Sequence, residues 1–232
     1  GVEKDIQKAV ALFTLAATKE NSFAAFALGK LYLAGDAALP RDPAAALKWL
    51  TYAAELGNQF AQYRLGKLLL KGDDGIPKDV ITAIRWLTAA AKQENGYAEY
   101  ALALVYLTGE DAPKDSVKAL SLLKRSAGRG NQFAQYRLGK LLLQGEDAPK
   151  DVKAAIRWLT AAAEQGNQYA QYALGKLYLL GKEVPKDKSN AIKWFQLAAD
   201  QGNEYAKYFL EHMDDRLGQP PAAAVISLLH HL

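Results

Sequence analysis

The residue types that most often carry out acid–base or metal chemistry are few in this sequence. Its three histidines all lie near the C-terminus: His212, His230 and His231. A metal site needs ligands that converge from several structural elements, whereas two adjacent histidines on a helix point about 100° apart. The acidic pairs Asp73-Asp74 and Glu110-Asp111 fall in loops of variable sequence, which favours solvated turn residues over a general acid and base. We therefore predict neither a catalytic residue nor a metal site.

Motifs for nucleophilic or phosphate chemistry are also missing from the sequence. Cysteine is absent, which removes thiolate catalysis, disulfides and cysteine metal sites. No glycine-rich phosphate loop, nucleophile elbow or zinc-protease motif occurs. We expect a protein that is not an enzyme and that needs no cofactor.

A repeat runs through almost the whole chain. An asparagine opens each similar segment, at intervals of 36 or 37 residues: Asn21, Asn58, Asn95, Asn131, Asn167 and Asn203. In the second copy this asparagine is followed by Phe60, Ala61, Tyr63 and Leu65-Gly66. In most copies a glycine then ends this segment, and a turn made of proline, a basic residue and aspartate follows. A second apolar stretch, which closes on paired alanines, completes the copy. Such a period is typical of repeat architectures.

Two helices are predicted in each copy, with start and stop signals at their ends. In the second copy Asn58 can cap the first helix, and Gly72 can end it in the left-handed conformation. Asp79 can cap the second helix and places negative charge at its positive end. Because one helix pair cannot bury its apolar surface alone, the copies must stack. The sequence therefore predicts an all-α fold, an α/α superhelix (solenoid) of helix pairs with a period of 36–37 residues.

The same pattern predicts the domain boundaries. We expect a solenoid over residues 1–216, with a half-repeat at 4–20, copies that start at residues 21, 58, 95, 131 and 167, and a partial copy from residue 203. Residues 217–232 contain a Pro220-Pro221 break followed by apolar residues at helical spacing. They are predicted to form a C-terminal helix that either caps the last repeat or docks elsewhere.

Nearly the whole chain resembles Sel1-like repeat proteins, which are related to tetratricopeptide repeats. In the second copy the resemblance is carried by Ala61, Leu65-Gly66, Gly72, Asp79, Ala83, Trp86 and Ala90-Ala91. The departures from the family pattern are local: Leu12 and Leu122 replace the tryptophan, Ala103 replaces the helix glycine and Glu94 replaces the linking glycine. The resemblance implies an α/α superhelix that serves as an adaptor in protein–protein interaction, often in bacterial signalling or host contact, with no shared catalytic residues.

The tail from Gln219 to Leu232 resembles segments that follow Sel1-like repeats in plasmid mobilisation relaxases of Gram-positive bacteria. The match is short. It implies an alternative function, in which this chain is the accessory repeat region of a DNA-mobilising protein whose nicking chemistry lies outside the sequence.

A stripe of aromatic and lysine residues recurs on the predicted first helices. On a helical wheel one side of the first helix in the second copy should face the core, and it carries Ala61, Leu65 and Leu68. The roughly opposite side carries Phe60, Tyr63, Lys67 and Leu70. We name this recurring set the aromatic–lysine ladder, and its predicted partner-binding members are Phe60, Tyr63, Lys67, Tyr100, Tyr136, Lys140, Tyr172 and Lys176. By analogy with tetratricopeptide-like superhelices, the ladder would bind a partner segment along the concave face. The alternative is that the rings only wedge between neighbouring repeats.

Charge and hydropathy bear on the class of partner. The net charge of +4 is spread along the chain without a block of like charges, which favours a protein or peptide partner over nucleic acid. No apolar run approaches the roughly 18–20 residues that cross a bilayer, so no membrane partner is expected. Exposed apolar faces of the terminal helices could support self-association. The N-terminus lacks the features of a signal peptide, which slightly favours the cytoplasm unless an export signal lies outside this sequence.

Overall fold

The computed structural model of the protein describes residues 5–72 and 75–212. The predicted C-terminal helix at 217–232 lies outside the described residues, as do the Asp73-Asp74 pair and the two adjacent histidines of the tail.

Twelve α-helices occupy most of the described residues, and ten of them are 13 residues long. In chain order they are α1 (Ile6–Ala17), α2 (Ser22–Ala34), α3 (Pro43–Glu55), α4 (Gln59–Lys71), α5 (Val80–Lys92), α6 (Gly96–Thr108), α7 (Ser116–Gly128), α8 (Gln132–Gln144), α9 (Val152–Glu164), α10 (Gln168–Leu180), α11 (Lys188–Asp200) and α12 (Glu204–Glu211). None of these twelve is both long and apolar enough to span a bilayer. The prediction of an all-α fold of helix pairs is confirmed.

Side-chain caps begin the helices, as predicted from the sequence. The side chain of Asn58 accepts hydrogen bonds from the backbone N–H groups of Phe60 and Ala61, at 3.1 and 3.0 Å, and so satisfies early donors of α4. The side chain of Asp79 accepts one from the N–H of Thr82 at 3.0 Å at the start of α5. These local bonds fix where each helix starts and therefore which residues share its faces.

The helices form two compact units, with α1–α7 in the first, up to residue 129, and α8–α12 in the second, from residue 130. Within a unit each helix packs mainly on the helices that precede and follow it in the chain. Glycines on the first helices permit the closest approach. A Cβ at Gly66 would lie 2.6 Å from Cγ of Leu87, and one at Gly139 would lie 2.7 Å from Cγ of Leu159. Each core is therefore built from small residues that face large ones.

A polar contact recurs between the first helix of a copy and the linker that follows its second helix. Gln62 on α4 is buried and accepts a hydrogen bond from Nε2 of Gln93 at 2.8 Å, while its own amide donates to the carbonyl of Ala54 at 3.1 Å. In the second unit the glutamine–glutamine bond recurs at 2.7 Å between Gln135 and Gln165 and between Gln171 and Gln201. Because the buried amides are bonded, these contacts fix the register of neighbouring pairs at little cost.

Candidate partner-binding surface

The eight predicted members of the aromatic–lysine ladder all lie on the first helices of their pairs, on α4, α6, α8 and α10. Where lysine follows tyrosine by four residues, the two side chains meet on one helix face. Lys67 Nζ lies 6.0 Å from the ring centroid of Tyr63, and Lys140 Nζ lies 5.9 Å from that of Tyr136. At these distances the cation is attracted to the aromatic face. The ladder therefore combines a positive charge and a ring in one repeated unit.

The rings of successive copies also contact each other within a unit. The ring centroids of Tyr63 and Tyr97 are 5.9 Å apart in the first unit, and those of Tyr136 and Tyr169 are 6.0 Å apart in the second. Both pairs are tilted, an arrangement that stabilises aromatic contacts. Packing between repeats is therefore one role of these rings.

This packing leaves part of the ladder at the surface. Phe60 is 47% exposed although its ring lies 6.4 Å from that of Phe26. Tyr97 and Tyr169 are about half exposed. Lys67 is exposed, with its Nζ near the ring of Tyr63 on the same helix. The outer edge of each ring pair thus remains available to a partner, and inter-repeat packing and partner contact are compatible roles for one residue.

Tyr63 and Tyr100 lie deeper than the outer rings and are half-buried. Burial raises the pKa of Tyr63 above its ordinary value of 10.0, an effect that Arg64 opposes and that Tyr97 and Tyr100 reinforce. The Tyr63 hydroxyl therefore stays protonated at neutral pH and can donate a hydrogen bond. Four residues after Tyr100, Leu104 takes the place of the ladder lysine and is half-buried.

In the first unit, aromatic and basic side chains line an open groove of about 530 Å³. Its lining includes Phe26, Lys30, Phe60, Tyr63 and Arg64, which come from α2 and α4. Lys30 repeats the cation–aromatic arrangement, because its Nζ lies 5.7 Å from the ring centroid of Phe26. The groove therefore offers rings in its walls and two cations beside them.

In the second unit the ladder lysines lie beside an apolar cavity of about 200 Å³. Lys140 and Lys176 are half-buried and line it together with Tyr136, Leu143 and Leu177. Burial lowers the pKa of Lys140, and the positive charges of Arg137 and Lys176 lower it further. Burial likewise lowers the pKa of Lys176, with a further decrease caused by Lys182. The cations here repel one another at the edge of an apolar surface.

Tyr172 does not lie on the exposed stripe where the sequence placed it. It is 1% exposed, and its ring centroid lies 5.7 Å from that of Phe195 and 6.1 Å from that of Phe209. The cause is a pair of bulky neighbours, because Phe195 stands where four other copies have leucine and Phe209 where other copies have alanine or arginine. Burial raises the pKa of Tyr172 to about 12. Tyr172 is therefore a core residue of the second unit.

Sequence reasoning missed several residues of the second-unit cavity. Leu180 at the end of α10 and Lys182 just after it also line the cavity, together with Glu183, whose carboxylate pairs with Lys150 Nζ at 2.7 Å. Leu180, Lys182 and Glu183 lie outside the periodic stripe, so no pattern in the sequence marked them. Across residues 5–72 and 75–212 no group of three or more histidine, aspartate or glutamate side chains is placed to hold a metal ion.

A family model described as "Sel1 repeat" matches the chain at residues 1–21, 22–58, 59–95, 96–131, 132–167 and 168–203. Two solved structures are similar over most of the chain. One is a Sel1 repeat protein from Oxalobacter formigenes, 34% identical, with a TM-score of 0.82 over 92% of this chain and 61% of that one. The other is c5321, a protective antigen in uropathogenic Escherichia coli strains, 33% identical, with a TM-score of 0.81 over 91% of this chain and 45% of that one.

The chain therefore spans less than two thirds of each of these two proteins. The immunity protein Pa5087 from Pseudomonas aeruginosa shares the fold, at 20% identity and a TM-score of 0.53 over 91% of this chain and 80% of that one. Among curated proteins, none matches the chain.

Proposed function

Because the chain belongs to the Sel1 repeat family, we propose that it is a non-catalytic scaffold that binds a segment of another protein along the aromatic–lysine ladder. Members of this family generally mediate protein–protein interactions and are typically non-catalytic. The predicted ladder residues other than Tyr172 form the proposed surface.

The observation that carries this proposal is the half-exposed ring beside a lysine. Phe60 is held from one side by the ring of Phe26, so little side-chain entropy remains to be lost when a partner covers its free edge. Rigid aromatic rings of this kind dominate the binding energy of many interfaces. Lys67 adjoins the same face and can pair with a carboxylate of the partner.

The proposal is tested by capture from a lysate of the source cells on immobilised protein. The ladder variant carries Phe60→Ala and Lys67→Ala. The matched control carries Ile81→Ala and Val117→Ala, because these apolar residues on α5 and α7 are 85% and 83% exposed but lie outside the ladder. Circular dichroism establishes that both variants keep the helix content of the unmodified chain.

We expect the ladder variant to lose about tenfold in affinity for the captured protein while the control keeps it. Equal loss in both variants, or none in either, would move the interaction away from the ladder. Capture of oligonucleotides with a steep salt dependence would instead support the nucleic-acid-processing function that the tail's resemblance to relaxases implies.

A further inference from the structure

We propose that the second unit recognises an acidic segment of its partner, with a carboxylate held by Lys140 and Lys176 and an adjacent apolar side chain in the cavity beside them. This inference rests on the proposed function, since the cavity is the second-unit part of the ladder. To that function it adds the chemistry of the bound segment and the unit of this protein that binds the segment.

The cavity sets the apolar half of the recognition. Its volume is about 200 Å³, and its large apolar lining residues are Tyr136, Leu143, Leu177 and Leu180. An apolar cavity of about 150 Å³ is large enough to hold benzene. One branched aliphatic or aromatic side chain of a partner therefore fits here, and Leu180 stays exposed at the cavity to contact it.

The lysines at the cavity determine the polar part of the recognition. Lys140, Lys176 and Lys182 line the cavity together with a single acidic residue, Glu183, whose carboxylate already pairs with Lys150. Half-burial removes water from Lys140 and Lys176, which makes their positive charges costly to hold. A carboxylate placed between them would lower that cost and form strong charge-assisted bonds.

This combination favours an acidic peptide over a nucleic acid. A nucleic acid presents phosphates at regular intervals and needs a basic track along its path. Three lysines line one apolar cavity here, which matches a carboxylate next to an apolar side chain.

The test is fluorescence anisotropy of the full chain with short labelled peptides. The probe alternates glutamate with leucine and phenylalanine between Gly-Ser ends. One comparison peptide replaces glutamate by glutamine, and another replaces the apolar residues by serine. The protein variants are Lys140→Ala with Lys176→Ala, Leu180→Ser, and, as a matched control, Lys124→Ala with Lys153→Ala, which removes two exposed lysines outside the ladder and the cavity.

We expect the acidic apolar probe to bind the unmodified chain about tenfold more tightly than either comparison peptide. The second-unit lysine variant should lose about tenfold and Leu180→Ser should also weaken binding, whereas the Lys124→Ala, Lys153→Ala control should bind normally.

Equal binding of the glutamine peptide would overturn the proposal, because it would show that no carboxylate is recognised. Equal loss in the Lys124→Ala, Lys153→Ala control would also overturn it, because it would show that the probe follows net charge and not the cavity. If the probe does not bind but capture of the cellular partner still depends on Phe60 and Lys67, this inference fails and the proposed function stands. If neither occurs, both fail.

Discussion

The side chain of Arg129 donates a hydrogen bond from Nε to Oε2 of Glu99 at 3.2 Å, at the place where other copies join two glutamines. Glu99 is 0% exposed and also forms an ion pair with Arg125, whose Nη2 lies 2.5 Å from Oε1 outside hydrogen-bond geometry. A carboxylate cannot donate to the carbonyl of Ala91 as a glutamine would, and Arg125 Nη2 donates to it instead at 3.2 Å. Arg129 thus replaces the linker glutamine of other copies, and Arg125 replaces the bond that the first-helix glutamine donates to the carbonyl.

This arrangement predicts unequal effects of removing its two halves. The Arg125→Ala, Arg129→Ala double variant leaves the Glu99 carboxylate buried without its cations, and we expect it to lower the free energy of unfolding by about 3 kcal/mol. Glu99→Gln should cost only about 1 kcal/mol, because the amide can bond as Gln62 does and the arginines can reach water. Urea denaturation followed by circular dichroism measures both. Equal losses would contradict this explanation.

The close approach of α8 and α9 predicts a steric effect. In Gly139→Ala the new Cβ would lie 2.7 Å from the Leu159 side chain, so we expect a loss of about 1–3 kcal/mol. Gly128→Ala is the matched control, because its Cβ would meet no atom within 4 Å and alanine reduces the entropy of the unfolded chain. That variant should gain about 0.5 kcal/mol. Thermal unfolding compares them, and a Gly139→Ala protein as stable as the control would refute close packing here.

The cap of α5 predicts a dependence of stability on pH. The Asp79 carboxylate accepts a hydrogen bond from the N–H of Thr82, which lowers its pKa below the ordinary value of 3.8. Because the pKa is lower in the folded state, the charged cap stabilises the fold above about pH 4 and this contribution is lost as the pH falls below it. Asp79→Asn keeps the cap but cannot titrate. Its melting temperature should therefore fall less between neutral pH and about pH 3 than that of the unmodified chain; parallel curves would argue against this role.

The hydroxyl of Tyr172 predicts an uncommon result for a core substitution. It is buried and forms no hydrogen bond with the described residues. Tyr172→Phe removes an unpaired polar group and should leave stability unchanged or raise it by about 1 kcal/mol. Tyr172→Ala removes the ring that contacts Phe195 and should cost about 3–5 kcal/mol. A Tyr172→Phe variant that is clearly less stable than the unmodified chain would show that the hydroxyl has a partner.

Features that depend on neighbours in sequence were predictable. Asn58 and Asp79 cap helices through bonds to residues two or three positions away, so the type and position of the residue were sufficient. The repeat period then gave the helix pairs and the face that carries Phe60 and Lys67.

Features that depend on contacts between helices were not predictable. The burial of Tyr172 is caused by Phe195 on α11 and Phe209 on α12, and periodicity assigned it the environment of Tyr136 instead. Lys182 reaches the second-unit cavity from the residues after α10, outside any helical stripe. The pairing of Glu99 with two arginines likewise appears only when α6 and α7 are placed together.

Site-specific photo-crosslinking tests the central claim most directly. The sequence has no cysteine, so Phe60→Cys, Tyr169→Cys and the control Ile81→Cys each carry one photoreactive label at a defined position. If the aromatic–lysine ladder binds the partner, the captured protein should crosslink from positions 60 and 169 and much less from the exposed position 81 on α5. Crosslinks that are equal at all three positions, or strongest at position 81, would contradict it.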